Sequence, residues 1–346
     1  MRDWTDPRKD TDVPIRILRS HDTNPWFNLA TEDHIFGDMD PSVDVLFLWR
    51  NQPNIVIGRH QNPWAECDLE AMEREGVLLT RRQSGGGAVY QDLGNSCFTF
   101  LSGKSTYSVD TNFRLVVDAL ARLGITAERT GRNDVVVDGR KVSGSAFKLA
   151  SDRAFHHGTM LIDADLGRLG ALLRPDERKL SGKGVASVRS RVANLTEFAP
   201  DLDHDRWCEA MVAAFCDHHG EHAEVEDLDR SALAAIPSLA AYYEQQSDWS
   251  WRFGATPDFE FTLKTRFDWG LVDVHLDTAH GRITAARIFS DSLQPELITR
   301  VTDALRGAPF QGADLAERVR EVGAGEPYVD EAAELAAWLG REVAAA

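Results

Sequence analysis

Apolar positions in the first two thirds of the chain follow two spacings. Short runs rich in β-branched and aromatic residues predict strands, and these lie at 45–50, 54–58, 77–82, 88–91 and 96–101. Apolar residues at helical spacing predict helices at 67–75, 111–123 and 205–218. Strands and helices therefore alternate from about Ile15 to about Tyr243. This alternation predicts a mixed α/β domain in which helices flank β-sheets.

A polar stretch interrupted by glycine and proline lies at 244–258. The apolar pattern then restarts, with strands predicted at 260–267, 271–277 and 283–290 and helices at 295–305, 314–321 and 330–343. We therefore predict two domains, 1–248 and 249–346, of which the second is a small α+β domain.

Composition narrows the class of protein. The 346 residues carry a formal net charge of −17, which argues against a general nucleic-acid-binding protein. No apolar run reaches the roughly 20 residues that span a bilayer, and the first residues are too polar for a secretory signal peptide. The four cysteines have no metal-type spacing, and we expect free thiols in a reducing compartment. These features predict a soluble, cytoplasmic protein.

Residues 81–90, RRQSGGGAVY, place three consecutive glycines between two predicted strands. Backbone amides in such a loop can bind an anion, with Arg81 and Arg82 supplying positive charge. A flexible hairpin turn is the alternative. The spacing matches neither a Walker A loop nor a dinucleotide-binding fingerprint.

Residues 131–147 predict a β-hairpin closed by Asp138-Gly139 in a type I′ turn. That turn pairs Val136 with Lys141 and Asp134 with Ser143. One face then carries Lys141 beside a carboxylate and two hydroxyls, those of Ser143 and Ser145, while Gly144 permits close approach. Such a lysine can bind a carboxylate and a phosphate, although an ordinary surface ion pair is the alternative.

Two further segments carry candidate chemistry. In FHHGTML (155–161) strand alternation places Phe155 and His157 on one face and His156 on the other, so the two histidines are not expected to share a metal. The basic, poorly periodic segment 179–195 is predicted to be a loop that closes over an anion, with a surface linker as the alternative.

Together these segments resemble the lipoate–protein ligase family. The resemblance runs through most of the first predicted domain and weakly into the second, at FSDSL (289–293). The matching segments in the first domain are NPWFNLATEDHIF (24–36), VLFLWRNQPNIVIGRHQNPW (45–64), RRQSGGGAVYQDLGNSCFTF (81–100), GRNDVVVDGRKVSGSAF (131–147), FHHGTML (155–161) and KGVASVRSRVANLTEF (183–198). The family implies a biotin/lipoate-ligase-like catalytic domain and a C-terminal accessory domain.

The resemblance also implies a reaction and its residues. Lipoate would be activated with ATP and Mg²⁺ to lipoyl-AMP, and the lipoyl group transferred to a lysine of lipoyl domains of 2-oxoacid dehydrogenases or the glycine-cleavage H protein. Lys141 would contact the lipoyl carboxylate and the α-phosphate. The residues implied for ATP are Arg82, Gly87, Ala88, Val89, Tyr90, Asn133 and Asp134, with Asp134 also at the magnesium. The residues implied near the lipoyl group are Glu32, Ser84 and His157.

Three alternatives remain at this point. An octanoyl transferase of the same superfamily would use a cysteine and no ATP, and Cys97 is the only cysteine within a matching motif. A biotin ligase would need a different arginine- and glycine-containing motif at 81–90. A non-catalytic acyl-binding protein would keep the pocket but not turn over. Consumption of ATP that depends on lipoate separates these alternatives from the ligase.

Overall fold

The fold is described here from a computed structural model, which describes residues 13–173, 192–253, 261–324 and 327–345. Most of the predicted loop 179–195 lies outside these ranges. The chain divides into two compact units. The first holds the chain up to Val56, Trp64–Arg81 and Val89–Arg252, and the second holds Ile57–Pro63, Arg82–Ala88 and the chain from Phe253 onward.

The first unit is built on a mixed eight-stranded sheet, in the order β11-β1-β2-β6-β10-β9-β8-β7. Its strands are β1 (Ile15–Ser20), β2 (Asp44–Arg50), β6 (Asn95–Gly103), β7 (Glu128–Thr130), β8 (Asp134–Val137), β9 (Arg140–Leu149), β10 (Arg153–Leu161) and β11 (Val225–Leu228). Strand β1 is parallel to β2 and β11, and the pairs from β2 to β7 are antiparallel. The mixed sheet confirms the predicted fold class.

Helices cover both faces of this sheet. The helices described up to residue 253 are α1 (Pro25–Asp38), α2 (Pro63–Glu66), α3 (Leu69–Arg74), α4 (Val109–Arg122), α5 (Arg168–Leu172), α6 (His204–His219), α7 (Ala232–Ala235), α8 (Pro237–Ser247) and α9 (Trp249–Phe253). Helices α4 and α6 share a buried cluster with one face of the sheet. Helix α1 shares a second cluster with the other face. We call these the α4–α6 face and the α1 face.

Alternation along each strand divides its residues between the two faces. On β2, Leu46 and Leu48 belong to the α4–α6 face, while Phe47 and Trp49 belong to the α1 face. A sheet that is buried on both sides needs near-continuous apolar runs, which explains why VLFLW in β2 is apolar throughout.

The predicted hairpin is present as β8 and β9. Asp138 and Gly139 have φ values of +51° and +73°, as a type I′ turn requires. Val136 pairs with Lys141 as predicted. The predicted pairing of Asp134 with Ser143 is wrong, because Asp134 pairs with Gly144 and Val135 with Ser143 across a register shift. A β-bulge adds one residue to β9 and so moves every later side chain of that strand to the opposite face.

A small three-stranded sheet completes the first unit in the order β4-β3-β5, from β3 (Asn54–Ile57), β4 (Leu78–Arg81) and β5 (Val89–Gln91). The second unit has the antiparallel sheet β12 (Phe261–Phe267), β13 (Gly270–Ala279) and β14 (Arg282–Ser290). It is followed by α10 (Pro295–Leu305), α11 (Gly312–Val322) and α12 (Val329–Ala345), which pack with it around their own apolar core. None of the helices in the described ranges is long and apolar enough to cross a membrane.

Candidate active site

The β8–β9 hairpin holds a lysine–carboxylate pair. Lys141 Nζ lies 2.6 Å from Asp134 Oδ1, and both side chains are about one third exposed, at 35% and 31%. The backbone on the far side of β9 is also bonded, because Ala193 N–H donates to the carbonyl of Lys141 at 2.9 Å. The ammonium therefore lies at the surface of the hairpin, and the backbone of Lys141 is held in place by its hydrogen bond with Ala193.

Gly144 lies directly beside this pair. A methyl group at its Cα would be 3.0 Å from Lys141 Nζ and 3.1 Å from Lys141 Cε, so any side chain at this position would displace the ammonium by a few tenths of an ångström. Ser143 and Ser145 do not join it, contrary to the sequence-based expectation. The bulge turns Ser143 toward the α4–α6 face, where it pairs with the core residue Val135. Both hydroxyls are buried without a hydrogen-bond partner among the described residues.

Asn133 closes the base of the hairpin. Its carbonyl accepts from Ser145 N–H at 2.8 Å, and its amide Nδ2 donates to the carbonyl of Ser145 at 3.2 Å. This side chain therefore stabilises the start of β8 next to Asp134. A contact of Asn133 with nucleotide stays a prediction.

The α1 face continues from the lysine into an apolar cluster that includes Phe47, Trp49, Cys97, Leu101 and Phe155. The register aligns these residues with the hairpin, because Cys97 pairs with Thr159 and Thr99 with His157 across β6 and β10. His157 in turn pairs with Ala146 of β9. Gly144 lies two residues before Ala146 and so faces the same side of the sheet. One face therefore carries a cation at one end and an apolar lining along it.

Glu32 and His157 form a buried pair on this face. Helix α1 is started by Asn24, whose side chain accepts from the backbone of Trp26 and Phe27. Glu32 lies between Leu29 and Phe36 at helical spacing, and these two residues pack in the apolar cluster of the α1 face. Glu32 Oε2 is 2.8 Å from His157 Nδ1, and Glu32 has no exposed surface. The predicted site residues Glu32 and His157 are thus in contact.

His156 points the other way, as strand alternation predicts. Its ring lies among Phe98, Phe100, Phe113 and Phe147, with centroid distances of 4.7 to 6.0 Å. Burial among these rings lowers the pKa of His156 well below its usual value. The adjacent histidines therefore do not form a metal pair.

Cys97 does not have the environment of a nucleophile. Burial raises the pKa of the Cys97 thiol well above its usual value, and the nearby Glu32 carboxylate raises it further. A reactive cysteine requires the opposite shift, toward the thiolate. All four cysteines belong to the described residues, are buried, and form no disulfide. The cysteine-dependent transferase is therefore not supported.

Strand β5 places two predicted nucleotide-binding residues in the small sheet. Val89 pairs with Val56 and Tyr90 with Ile55. Val89 packs against the apolar cluster of the α1 face, so it extends that lining. Tyr90 is largely buried, and burial raises the pKa of its hydroxyl, which also bonds to Arg168.

The glycine loop belongs to the second unit, and its three glycines differ. A Cβ on Gly85 would lie 2.0 Å from the carbonyl oxygen of Ser292, and Gly86 has φ +92°. Gly86 N–H donates to that same carbonyl at 2.8 Å. Gly87 is exposed and has open space around its Cα. The first two glycines are therefore required by packing and backbone conformation, and only Gly87, next to the half-buried Ala88, is placed for an anion to approach.

Arg82 holds this loop from inside. Its Nη2 donates to the carbonyls of Gly85 and Gly87 at 2.6 and 2.8 Å, and its Nε donates to Ser84 Oγ at 3.1 Å. Ser84 is fully buried. The neighbouring Arg81 donates instead to the carbonyls of Trp251 and Arg252, both at 2.8 Å. Direct contacts of Arg82 with nucleotide and of Ser84 with lipoate stay predictions.

Comparison with known proteins identifies the family. Residues 24–216 match the model of the lipoyl protein ligase A/B catalytic domain. The chain belongs to that family. Residues 256–339 match the bacterial lipoate protein ligase C-terminus, which places the chain among family members with a C-terminal domain. The sequence-based resemblance is thereby confirmed.

Individual members of the lipoyl protein ligase family agree with this assignment. The chain is 48% identical over 320 residues to lipoate-protein ligase A of Psychrobacter cryohalolentis, covering 91% of this chain and 94% of that protein. The structure of P. falciparum LipL1 in complex with lipoate aligns with a TM-score of 0.84 at 31% identity, over 94% of this chain and 99% of the other. A lipoate-protein ligase A bound with ATP aligns with a TM-score of 0.60 at 25% identity, over 70% of this chain and 99% of the other.

One participant in the site was not found from the sequence. Thr99 donates to Glu32 Oε2 at 2.6 Å, within the interior of the first unit. The signal was a hydroxyl in the otherwise apolar run CFTF. Thr99 shares a strand face with Cys97, but the partner on helix α1 could not be known before the helix was placed on the sheet.

Proposed function

We propose that this protein activates lipoate with ATP to lipoyl-AMP and transfers the lipoyl group to a lysine of an acceptor protein. The observation that carries the proposal is the α1 face of the first unit. It joins a lysine ammonium, held 2.6 Å from Asp134, to a buried apolar lining that includes Trp49 and Phe155. This combination suits a carboxylate attached to an apolar chain. Related proteins bound to lipoate and to ATP support the two substrates.

In the first step a lipoate carboxylate oxygen attacks the α-phosphorus of ATP. The bond from that phosphorus to the bridging oxygen of the β-phosphate breaks, and pyrophosphate leaves. Lys141 would bind the carboxylate and the α-phosphate and offset the negative charge of the transition state, so its contribution is positioning and electrostatics. We propose that the nucleotide is bound by the residues that the family resemblance implies for it, which are Arg82, Gly87, Ala88, Val89, Tyr90, Asn133 and Asp134.

Magnesium fits this scheme as an ion carried by the nucleotide. The described residues contain no group of three or more His, Cys, Asp or Glu side chains that could hold a metal. Magnesium is commonly held by one or two carboxylates together with substrate phosphates. Asp134 is the carboxylate beside Lys141, and we propose that it meets the ion there.

In the second step the acceptor's lysine amine attacks the acyl carbon of lipoyl-AMP. The bond from that carbon to the phosphate oxygen breaks, AMP leaves, and the amine loses a proton. A relative from Thermoplasma acidophilum has been studied with its E2 lipoyl domain, at 26% identity. We therefore propose lipoyl domains of 2-oxoacid dehydrogenases as acceptors and, by family resemblance, the glycine-cleavage H protein. We also propose that the protein acts in the cytoplasm.

The test is mass spectrometry of a purified lipoyl domain incubated with this protein, lipoate and Mg-ATP, beside a reaction without ATP. We expect an ATP-dependent gain of one lipoyl group on one lysine. Modification without ATP from an acylated carrier would instead indicate a transferase. No modification in either reaction, with a folded acceptor, would contradict the proposal.

The Lys141→Ala variant tests the residue at the centre of the first step. We expect pyrophosphate release with lipoate to fall about a hundredfold or more, because a preorganised cation is lost from the transition state. Lys104→Ala is the matched control, since Lys104 is an exposed lysine of the same unit. Pyrophosphate release by Lys141→Ala equal to that of the control would refute the role of Lys141.

A further inference from the structure

A chain of four buried polar side chains crosses the α1 face. Trp49 Nε1 lies 3.2 Å from Thr99 Oγ1, Thr99 Oγ1 lies 2.6 Å from Glu32 Oε2, and Glu32 Oε2 lies 2.8 Å from His157 Nδ1. Thr99 and Glu32 have no exposed surface, and Trp49 and His157 are 2% and 8% exposed. A carboxylate in an apolar cluster is costly unless donors surround it, so the positions of these donors matter.

Donor and acceptor chemistry fixes the direction of the first two links. An indole N–H can only donate, so the Thr99 oxygen accepts from Trp49. The single hydroxyl hydrogen of Thr99 is then directed to Glu32. Glu32 therefore accepts from Thr99 through Oε2, at 2.6 Å.

The direction of the last link follows. The oxygen nearest to His157 is Oε2, at 2.8 Å, and Oε1 is 3.0 Å away. Oε2 is the same oxygen that accepts from Thr99, so the proton between it and the ring lies on Nδ1. In the neutral ring the lone pair is then on Nε2, and the orientation of the ring is set by the carboxylate.

We propose that Thr99 is a positioning residue that acts through Glu32 to hold His157 in the Nδ1–H form and in one orientation against the acyl chain of the substrate. The inference rests on the proposed function for the identity of the ligand, but not for the state of the ring. His157 shares a sheet face with Gly144 and the apolar lining, so a ring that reorients changes the shape and polarity of that lining. Thr99 itself is not required to touch the substrate.

The test compares three variants of the full chain. Thr99→Val keeps the shape of the side chain and removes the hydroxyl, and Thr99→Ser keeps the hydroxyl. Thr80→Val is the matched control: Thr80 is also fully buried on a strand of the first unit, and its hydroxyl bonds to Asn54 and to the carbonyl of Ile55 instead. Thermal unfolding of each variant verifies that it is folded.

The first readout is the ¹⁵N spectrum of the histidine ring nitrogens in labelled protein without ligand, with the His157 signals identified by their loss in His157→Gln. This spectrum reports the tautomer directly. We expect an Nδ1–H ring in the unsubstituted protein, in Thr99→Ser and in Thr80→Val, and a mixture of forms in Thr99→Val. A His157 spectrum of Thr99→Val that matches Thr80→Val would overturn the proposal.

The second readout is pyrophosphate release at varied lipoate concentration. We expect Thr99→Val to raise KM for lipoate about tenfold, as loss of one hydrogen bond would, while kcat changes less than about twofold. Thr99→Ser should restore KM. A changed ring spectrum with unchanged KM, or a changed KM with an unchanged spectrum, also overturns the proposal. If no protein uses lipoate, the proposed function fails and the ring spectrum alone decides the state of His157.

Discussion

At the scale of single residues, the position of the Lys141 ammonium depends on Gly144, which has no side chain. A methyl group on the Cα of Gly144 would lie 3.0 Å from Lys141 Nζ. The atoms that would be displaced are the far end of the flexible Lys141 side chain. The fold can therefore accommodate a methyl group at position 144, whereas the ion pair between Lys141 and Asp134 would be disturbed. Function and stability should therefore respond differently to a substitution at this position.

We expect Gly144→Ala to reduce lipoate-dependent pyrophosphate release at least tenfold while the melting temperature changes by only a few degrees. The matched control is Ser143→Ala on the same strand, whose hydroxyl is buried on the opposite face without a described partner. Removing that hydroxyl should be neutral or slightly stabilising and should leave activity intact. Equal activity of the two variants would argue against the placement of Lys141 beside Gly144.

At the scale of elements, the glycine loop combines two separate requirements. Gly85 lies against the backbone at Ser292, and Gly86 takes a positive φ, so these two glycines connect the loop to the turn after β14. Arg82 then holds the loop carbonyls from inside. Only Gly87 has both an exposed backbone and open space beside it.

Alanine substitutions separate these requirements. Gly85→Ala should destabilise the protein by about 2 kcal/mol or more, because its methyl group would meet a backbone carbonyl that cannot move easily. Gly87→Ala should leave the melting temperature nearly unchanged but raise KM for ATP, because the new methyl group projects where an anion would approach. Thermal unfolding and ATP-dependent kinetics on both variants measure the two effects. A stable Gly85→Ala protein, or a Gly87→Ala protein with unaltered KM for ATP, would contradict this division.

At the scale of the whole molecule, buried histidines make the folded state sensitive to acid. Burial lowers the pKa of His156 well below its usual value and lowers the pKa of His204 and of His219 to about 4. The folded protein therefore binds fewer protons than the unfolded chain between pH 4 and the unperturbed histidine pKa of about 6.5. Stability must fall as the pH decreases through this window.

We expect His156→Leu to reduce this loss by up to about 1.4 kcal/mol per pH unit, which is the contribution of one proton. At neutral pH the variant should also be more stable, since neither ring nitrogen has a hydrogen-bond partner among the described residues. Urea unfolding at pH 7 and pH 5, followed by tryptophan fluorescence, measures both effects. If the free energy of unfolding falls by the same amount from pH 7 to pH 5 in the variant and in the unsubstituted protein, His156 does not titrate as its surroundings indicate.

Conformations that a local rule sets are predictable from the sequence. The Asp138-Gly139 turn was predictable because few other residues adopt two consecutive positive φ values. Alternation along β10 correctly separated His156, which lies beside Phe98 and Phe100, from His157, which contacts Glu32. The division into domains at 248 stays a prediction. The roles of the individual site residues stay predictions too, since they depend on bound ligands.

What the sequence determined by itself was therefore local: strand and helix periodicity, the hairpin turn, the family, and Lys141 with Asp134 on one hairpin face. What only the tertiary structure decided was the bulge that turns Ser143 away from Lys141 and the contact of Glu32 with Thr99 and His157. The reason is physical. Periodicity and turn preferences arise from neighbouring residues, whereas a register shift and a helix–sheet contact depend on which distant backbones and side chains pack together.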